Sequence, residues 1–161
     1  MAGPDKFSPR DFLDRYERER RHATNRRLHV LALPVLYAGI VLLLWTLPIP
    51  ARWHEPFLPT FNWAVLFVLG SIVYGALIAL LPAILVAVFA LLCLLLADLL
   101  SQAGAQLWLM GGLLVAAAWL LMAAGHRREG NQTAWLGRSQ YLPVGLVWVM
   151  SLLLARLRPP R

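Results

Sequence analysis

Residues 61–100 read FNWAVLFVLGSIVYGALIALLPAILVAVFALLCLLLADLL, an apolar stretch in which Asn62, Ser71 and Asp98 are the strongly polar side chains. A bilayer's hydrocarbon core takes ~20 helical residues to cross, so this run is about twice the length of one span. It is expected to divide at Leu81-Pro82-Ala83, because proline disfavours helix at the preceding residue and donates no amide hydrogen. The product is a tight hairpin of two helices. Ser71, Gly75 and Ala79 recur every fourth residue in the first of them, a seam of small residues that admits a neighbouring helix closely.

The same reading extends outward. Ser101-Gln102-Ala103-Gly104 forms the next turn, and Ala105 to Ala124 the next span. Gly125 to Gln140 is polar, and Leu142 to Ala155 is apolar again but short for a crossing, which leaves a tilted, re-entrant or interfacial course open. On the N-terminal side, Pro48, Pro50, Pro56 and Pro59 break the chain around Arg52, Trp53, His54 and Glu55. Leu28 to Leu47 precedes them as the first span. Before it, Ser8-Pro9-Arg10-Asp11 has the pattern of a helix start, and Phe12 and Tyr16 share one face of an amphipathic helix suited to lipid headgroups. This stretch lacks a cleavage-type pattern, so the first span is expected to be retained.

The expected fold class is all-α: a polytopic membrane helical bundle with four full spans, a short fifth hydrophobic segment and an N-terminal amphipathic helix. Its divisions are an interfacial segment (1–27), a transmembrane domain (28–155) and a basic tail (156–161).

Composition agrees. Of 161 residues, 60% are hydrophobic and 14% charged, against about 25% charged in soluble domains. The net charge of +7 would suit a nucleic-acid partner. However, eight of the fifteen basic residues precede Leu28 and most of the others flank apolar runs, which is the pattern of membrane topology signals, so no nucleic acid is expected. The lone Cys93 lies within an apolar run and reads as a small buried hydrophobe. Positive charge places the N-terminus in the cytoplasm, and four crossings return the 125–140 loop, with Arg127, Arg128 and Arg138, to that side. A bacterial inner membrane is favoured, or the endoplasmic reticulum in a eukaryote. Homo-oligomerisation is left open.

This topology gathers chemistry on one face. His22, His29 and His126 fall there, and His54 on the other. His22, Asn25 and His29 share one helical stripe, with Asn25 able to cap a break near Ala23-Thr24-Asn25. His126 and Glu129, three apart, also share a face. Neutral imidazole suits iron, zinc or copper, and a nearby carboxylate serves as ligand or orienting partner. The plainer reading is that such histidines contact headgroups and the arginines only fix topology.

Phe12-Leu-Asp-Arg-Tyr16, Asn25-Arg-Arg-Leu-His29 and Pro34 resemble the opening motif of the 2-hydroxy fatty acid dioxygenase family, small multi-pass membrane proteins with a yeast member in phytosphingosine breakdown. Leu81-Pro82, Gly125-His126 with Glu129 and Ala134, Gln140 and Pro143 are similar to its later landmarks. The chain departs from the pattern in places. Arg20 stands where the family has histidine, with His22 two residues on as the substitute. Ala23 and Thr133 replace prolines, and His126 and Glu129 are three rather than four apart.

The resemblance implies one-carbon shortening of a 2-hydroxy fatty acid by molecular oxygen and Fe2+. It assigns His22, His29 and His126 as metal ligands, Glu129 as a ligand or as a carboxylate that orients one, and Asn25 as a positioning group. Arg26, Arg27, Arg127 or Arg128 would hold the fatty-acid carboxylate, with membrane lipid around the tail. Two other readings stand beside it: a lipid-binding or structural relative without metal, and a small transporter centred on Asp98, an acid near a span's end.

The topology predicts that cysteines introduced as Ser8→Cys and Gln132→Cys react with an impermeant maleimide from the same side of the membrane. Labelling from opposite sides would separate the two halves of the candidate site.

Overall fold

The computed structural model describes residues 22–50, 62–129 and 142–157. The expected amphipathic helix before residue 22, His54, and the loop residues Ala134, Arg138 and Gln140 lie outside them, as do residues 158–161. The secondary structure of the described residues is all helical, in five elements: α1 (Ala23–Trp45), α2 (Trp63–Ile78), α3 (Leu80–Gln102), α4 (Leu107–Glu129) and α5 (Leu142–Leu157). Three are long and apolar enough to cross a membrane: Ala23–Trp45, Leu80–Gln102 and Leu107–Arg127. Helices α2 and α5 have 16 residues each, about 24 Å at 1.5 Å per residue.

Capping residues set these lengths. His22 caps α1, its Nδ1 accepting from Thr24 N at 3.2 Å. The chain therefore becomes helical five residues before Leu28, where the interfacial segment was expected to end. Asn62 caps α2, its Oδ1 accepting from Val65 N at 2.9 Å, the usual way to satisfy an orphan amide. Between α2 and α3 the break falls at Ala79, extended at φ −160° and ψ 120°, rather than at Leu81. Proline is tolerated in a first turn, where amide hydrogens have no helical acceptor. Pro82 occupies that turn of α3. Helix α3 ends at Gly104, whose φ of +73° suits glycine. Ala105 N bonds to Leu100 O and Gly104 N to Ser101 O, both at 3.0 Å, which closes a Schellman turn.

Helices α1 and α4 run antiparallel in close contact. A Cβ at Gly39 would lie 2.9 Å from Val115 Cγ2 and 3.0 Å from Gly111 O. One at Gly111 would lie 2.9 Å from Gly39 O and 3.0 Å from Leu43 N. Along α1, residues 25, 29, 32, 36, 39 and 43 recur at alternating steps of four and three, the period of a left-handed helix pair. The buried Leu107, Gly111, Ala118, Met122 and Gly125 follow a matching pattern on α4.

The hairpin of α2 and α3 packs beside this pair. Ser71 donates to Val68 O at 2.9 Å. Its single proton is thus used, and the Tyr37 hydroxyl is the donor in the 2.6 Å bond to Ser71 Oγ that ties α1 to α2. A Cβ at Gly75 would contact Ala83 Cβ at 3.4 Å and Val147 Cγ2 at 3.5 Å, so of the expected seam Gly75 faces α3 and α5, Ser71 meets α1, and Ala79 lies at the break after the helix. Leu146 to Met150 are all buried, so the first half of α5 is surrounded by the other helices. On α3, by contrast, Ile84, Val88, Leu91, Leu95 and Leu99 are each more than half exposed. A stripe of this kind marks a surface that water does not cover.

Adjacent glycines provide a test of the α1–α4 contact, because a Cβ at Gly112 meets nothing within 4 Å. Gly111→Ala should lower stability in detergent by about 1–3 kcal/mol, whereas Gly112→Ala should be neutral or mildly stabilising. Thermal unfolding of the two variants side by side measures this.

Candidate functional site

The antiparallel register brings the first turns of α1 against the last turns of α4. Asn25 is fully buried and His29 is 1% exposed. His126 is half-buried beside them. The rings of His29 and His126 stand edge to face, with centroids 4.9 Å apart and planes at 86°. Gly125 is buried against Asn25. A Cβ there would lie 3.2 Å from Asn25 Cγ and would overlap Oδ1, so glycine at 125 is what allows the amide its place.

One hydrogen bond sets the chemistry of His29. Its Nδ1 lies 3.0 Å from the Asn25 carbonyl oxygen. A carbonyl only accepts, so Nδ1 is the donor in this bond, which in the neutral form of the ring makes Nε2 the nitrogen that carries the lone pair. Metal-binding histidines are commonly oriented in this way, with one nitrogen donating to a carbonyl and the other left for the ligand. His22 has the opposite arrangement. It is exposed at the helix cap, and its Nδ1 lone pair is taken by Thr24 N.

The ring separation allows a shared ligand. Two imidazoles on one first-row metal, each with nitrogen at about 2.1 Å, hold their ring centres roughly 4.5–5.5 Å apart, and the observed 4.9 Å lies in that range. Among the described residues, no three His, Cys, Asp or Glu side chains gather as a metal site, so His22 is not brought into the pair. Helix α4 continues through Arg128 and Glu129, whose side chains are outside those described.

The remaining candidates surround the pair. Arg27 and Arg127 are exposed. Arg26 is half-buried, with Cζ 5.9 Å from the centre of the Trp148 ring, a cation–π distance that ties α1 to α5. No local pattern points to this partner, because Trp148 lies more than a hundred residues away in a run that reads only as apolar. The role of Gly125 was equally hidden. Asp98 accepts from Gln102 Nε2 at 2.6 Å on the exposed end of α3, so the transporter reading loses its one intramembrane acid to a helix-end pair. Two apolar grooves, of about 410 and 440 Å³, lie along α3 and α5, and Arg156 lines the larger. Neither is lined by the histidines.

A fold of closely packed apolar helices, with two histidines and a buried amide at one end of the bundle, defines a small polytopic membrane protein with a polar site at one face. The chain belongs to the Mpo1-like family, described as 2-hydroxy-palmitic acid dioxygenase Mpo1-like, whose model matches residues 7–157. No curated protein and no solved structure matches the chain.

The His29 tautomer is directly measurable. With the ring neutral, ¹⁵N NMR should find His29 protonated at Nδ1 and bare at Nε2. The reverse tautomer would contradict the hydrogen bond to Asn25.

Proposed function

We propose that the chain is a membrane-bound Fe2+-dependent dioxygenase that shortens 2-hydroxy fatty acids by one carbon. The observation that carries this reading is the meeting of His29 and His126, on helices far apart in sequence, at a separation suited to one shared metal. The family match supports the substrate class. The four-span topology, with both halves of the site on the cytoplasmic face, belongs to the same proposal. So does a membrane-embedded acyl chain whose carboxylate meets Arg27 and Arg127 at the rim.

The third ligand we assign to Glu129. At i, i+3 from His126 it lies on the same side of α4. Two histidines and a carboxylate are the ligand set of many non-haem iron oxygenases. His22 then acts as a helix cap. Bound ferrous iron would supply open positions for oxygen and for the substrate's 2-hydroxyl.

The overall reaction balances as R–CH(OH)–COOH + O2 → R–COOH + CO2 + H2O. The C1–C2 bond breaks, C1 leaves as carbon dioxide and C2 becomes the new carboxyl carbon. Oxygen accepts the four electrons that the substrate loses. The chain's own part is positional. The Asn25 carbonyl fixes the His29 ring, the close α1–α4 packing holds His126 against it, and the apolar helices around the site exclude water.

Protein purified under anaerobic, reducing conditions should hold iron and consume 2-hydroxypalmitic acid only when oxygen is admitted. His29→Ala, His126→Ala and Glu129→Ala should each lose both signals. His22→Asn, which preserves a capping side chain, should keep both. Wild type that holds no iron fails the dioxygenase reading in favour of a lipid-binding relative. Loss of iron in His22→Asn with retention in Glu129→Ala would exchange the roles of those two residues.

A further inference from the structure

The Asn25 side chain is fully buried. Neither its Oδ1 nor its Nδ2 has a hydrogen-bond partner among the described residues. This is unusual, since most buried polar side-chain atoms are satisfied and a stranded amide is costly in an apolar setting. Several other polar side chains are paired, Tyr37 with Ser71 between helices, and Ser151 with Val147 O and Asn62 with Val65 N within their own. The amide of Asn25 is also held where it is. Gly125 opens the space it occupies, and its own main-chain carbonyl is used by the His29 ring. A side chain with no structural bond to make, beside two histidines, is placed to bind something else.

We propose that the Asn25 carboxamide recognises the 2-hydroxycarboxylate head of the substrate, its Oδ1 accepting from the 2-hydroxyl and its Nδ2 donating to a carboxylate oxygen. An amide presents one acceptor and one donor side by side, and a 2-hydroxy acid presents one donor and one acceptor on adjacent carbons. An unsubstituted fatty acid offers no hydroxyl, so its binding leaves Oδ1 unpaired. A site built to bond a substrate hydroxyl rejects the analogue that lacks it strongly, because the stranded group remains desolvated. Asn25 is thus the residue that confines the site to acids already hydroxylated at C2.

The inference rests on the proposed reaction but is tested by binding alone. The protein in lipid nanodiscs is kept anaerobic, so that no turnover occurs. Its affinities for 2-hydroxypalmitate and palmitate are measured by thermal shift against ligand concentration. Wild type should prefer the 2-hydroxy acid by roughly tenfold or more. Asn25→Leu, which keeps the branching and the number of heavy atoms but has no polar atom, should reduce that preference to near unity. It should also raise the ligand-free melting temperature, because an apolar side chain replaces an unsatisfied amide. A merely structural asparagine would give the opposite shift.

Gly125→Ala displaces the same amide without altering Asn25 and should also erode the preference. It provides the reading if Asn25→Leu does not fold. Three results would overturn the inference: no preference in wild type, a preference that survives in both variants, or a marked fall in ligand-free melting temperature for Asn25→Leu with the preference intact in Gly125→Ala. Turnover by wild type without such a preference would remove this role of Asn25 and leave the dioxygenase reading standing. A preference without bound iron would do the reverse.

Discussion

Two helix backbones touch at Gly39 and Gly111, where a side chain on either would meet main-chain atoms of the other at 2.9–3.0 Å. In lipid there is no hydrophobic drive between helices, so close packing of this kind is a main source of their attraction. The contact also fixes the register of α1 against α4, and the site follows from it. About four turns from Gly39 towards the start of α1, the register sets Asn25 against Gly125, and one turn along it sets His29 against His126. A slip of one residue in either helix would rotate these side chains by about 100° about its axis and separate the two rings. The glycines thus matter to the chemistry as much as the histidines do.

The bundle treats its polar groups economically. Helix ends are closed by His22, Asn62 and the Gly104 turn, and Tyr37 and Ser71 satisfy each other between helices. Against that background the amide of Asn25 stands out. The same residue orients His29 through its main chain, while its buried side-chain amide makes no hydrogen bond among the described residues. On the proposal above, the main chain of this residue serves structure and its side chain recognition.

Much of this was legible in the sequence because lipid imposes strong rules on it. Length and apolarity located the helices, and of the histidines that the expected topology grouped on one face the structure brings His29 and His126 together. The stripe of Asn25 and His29 followed from helical spacing, and the structure keeps it. Other features depend on contacts that spacing does not encode. Pro82 marked a break, but the chain bends three residues earlier at Ala79, because a first helical turn accepts proline without cost. The small-residue seam of α2 was visible from its regular fourfold spacing. The tighter one on α1 and α4 uses a single glycine from each helix and shows no such repeat. His22 read as a ligand because it stands two residues from the position where the family it resembles has histidine. Its role as a cap depends on where α1 begins, and element boundaries are weakly encoded locally.

The central claim is that the α1–α4 register places two imidazoles on one iron. X-ray absorption at the iron edge of anaerobically loaded protein tests it most directly. The account predicts scattering from two imidazole rings in the wild type, and the loss of bound iron or of one ring in both His29→Ala and His126→Ala. An iron site whose imidazole count is unchanged in either variant would contradict it.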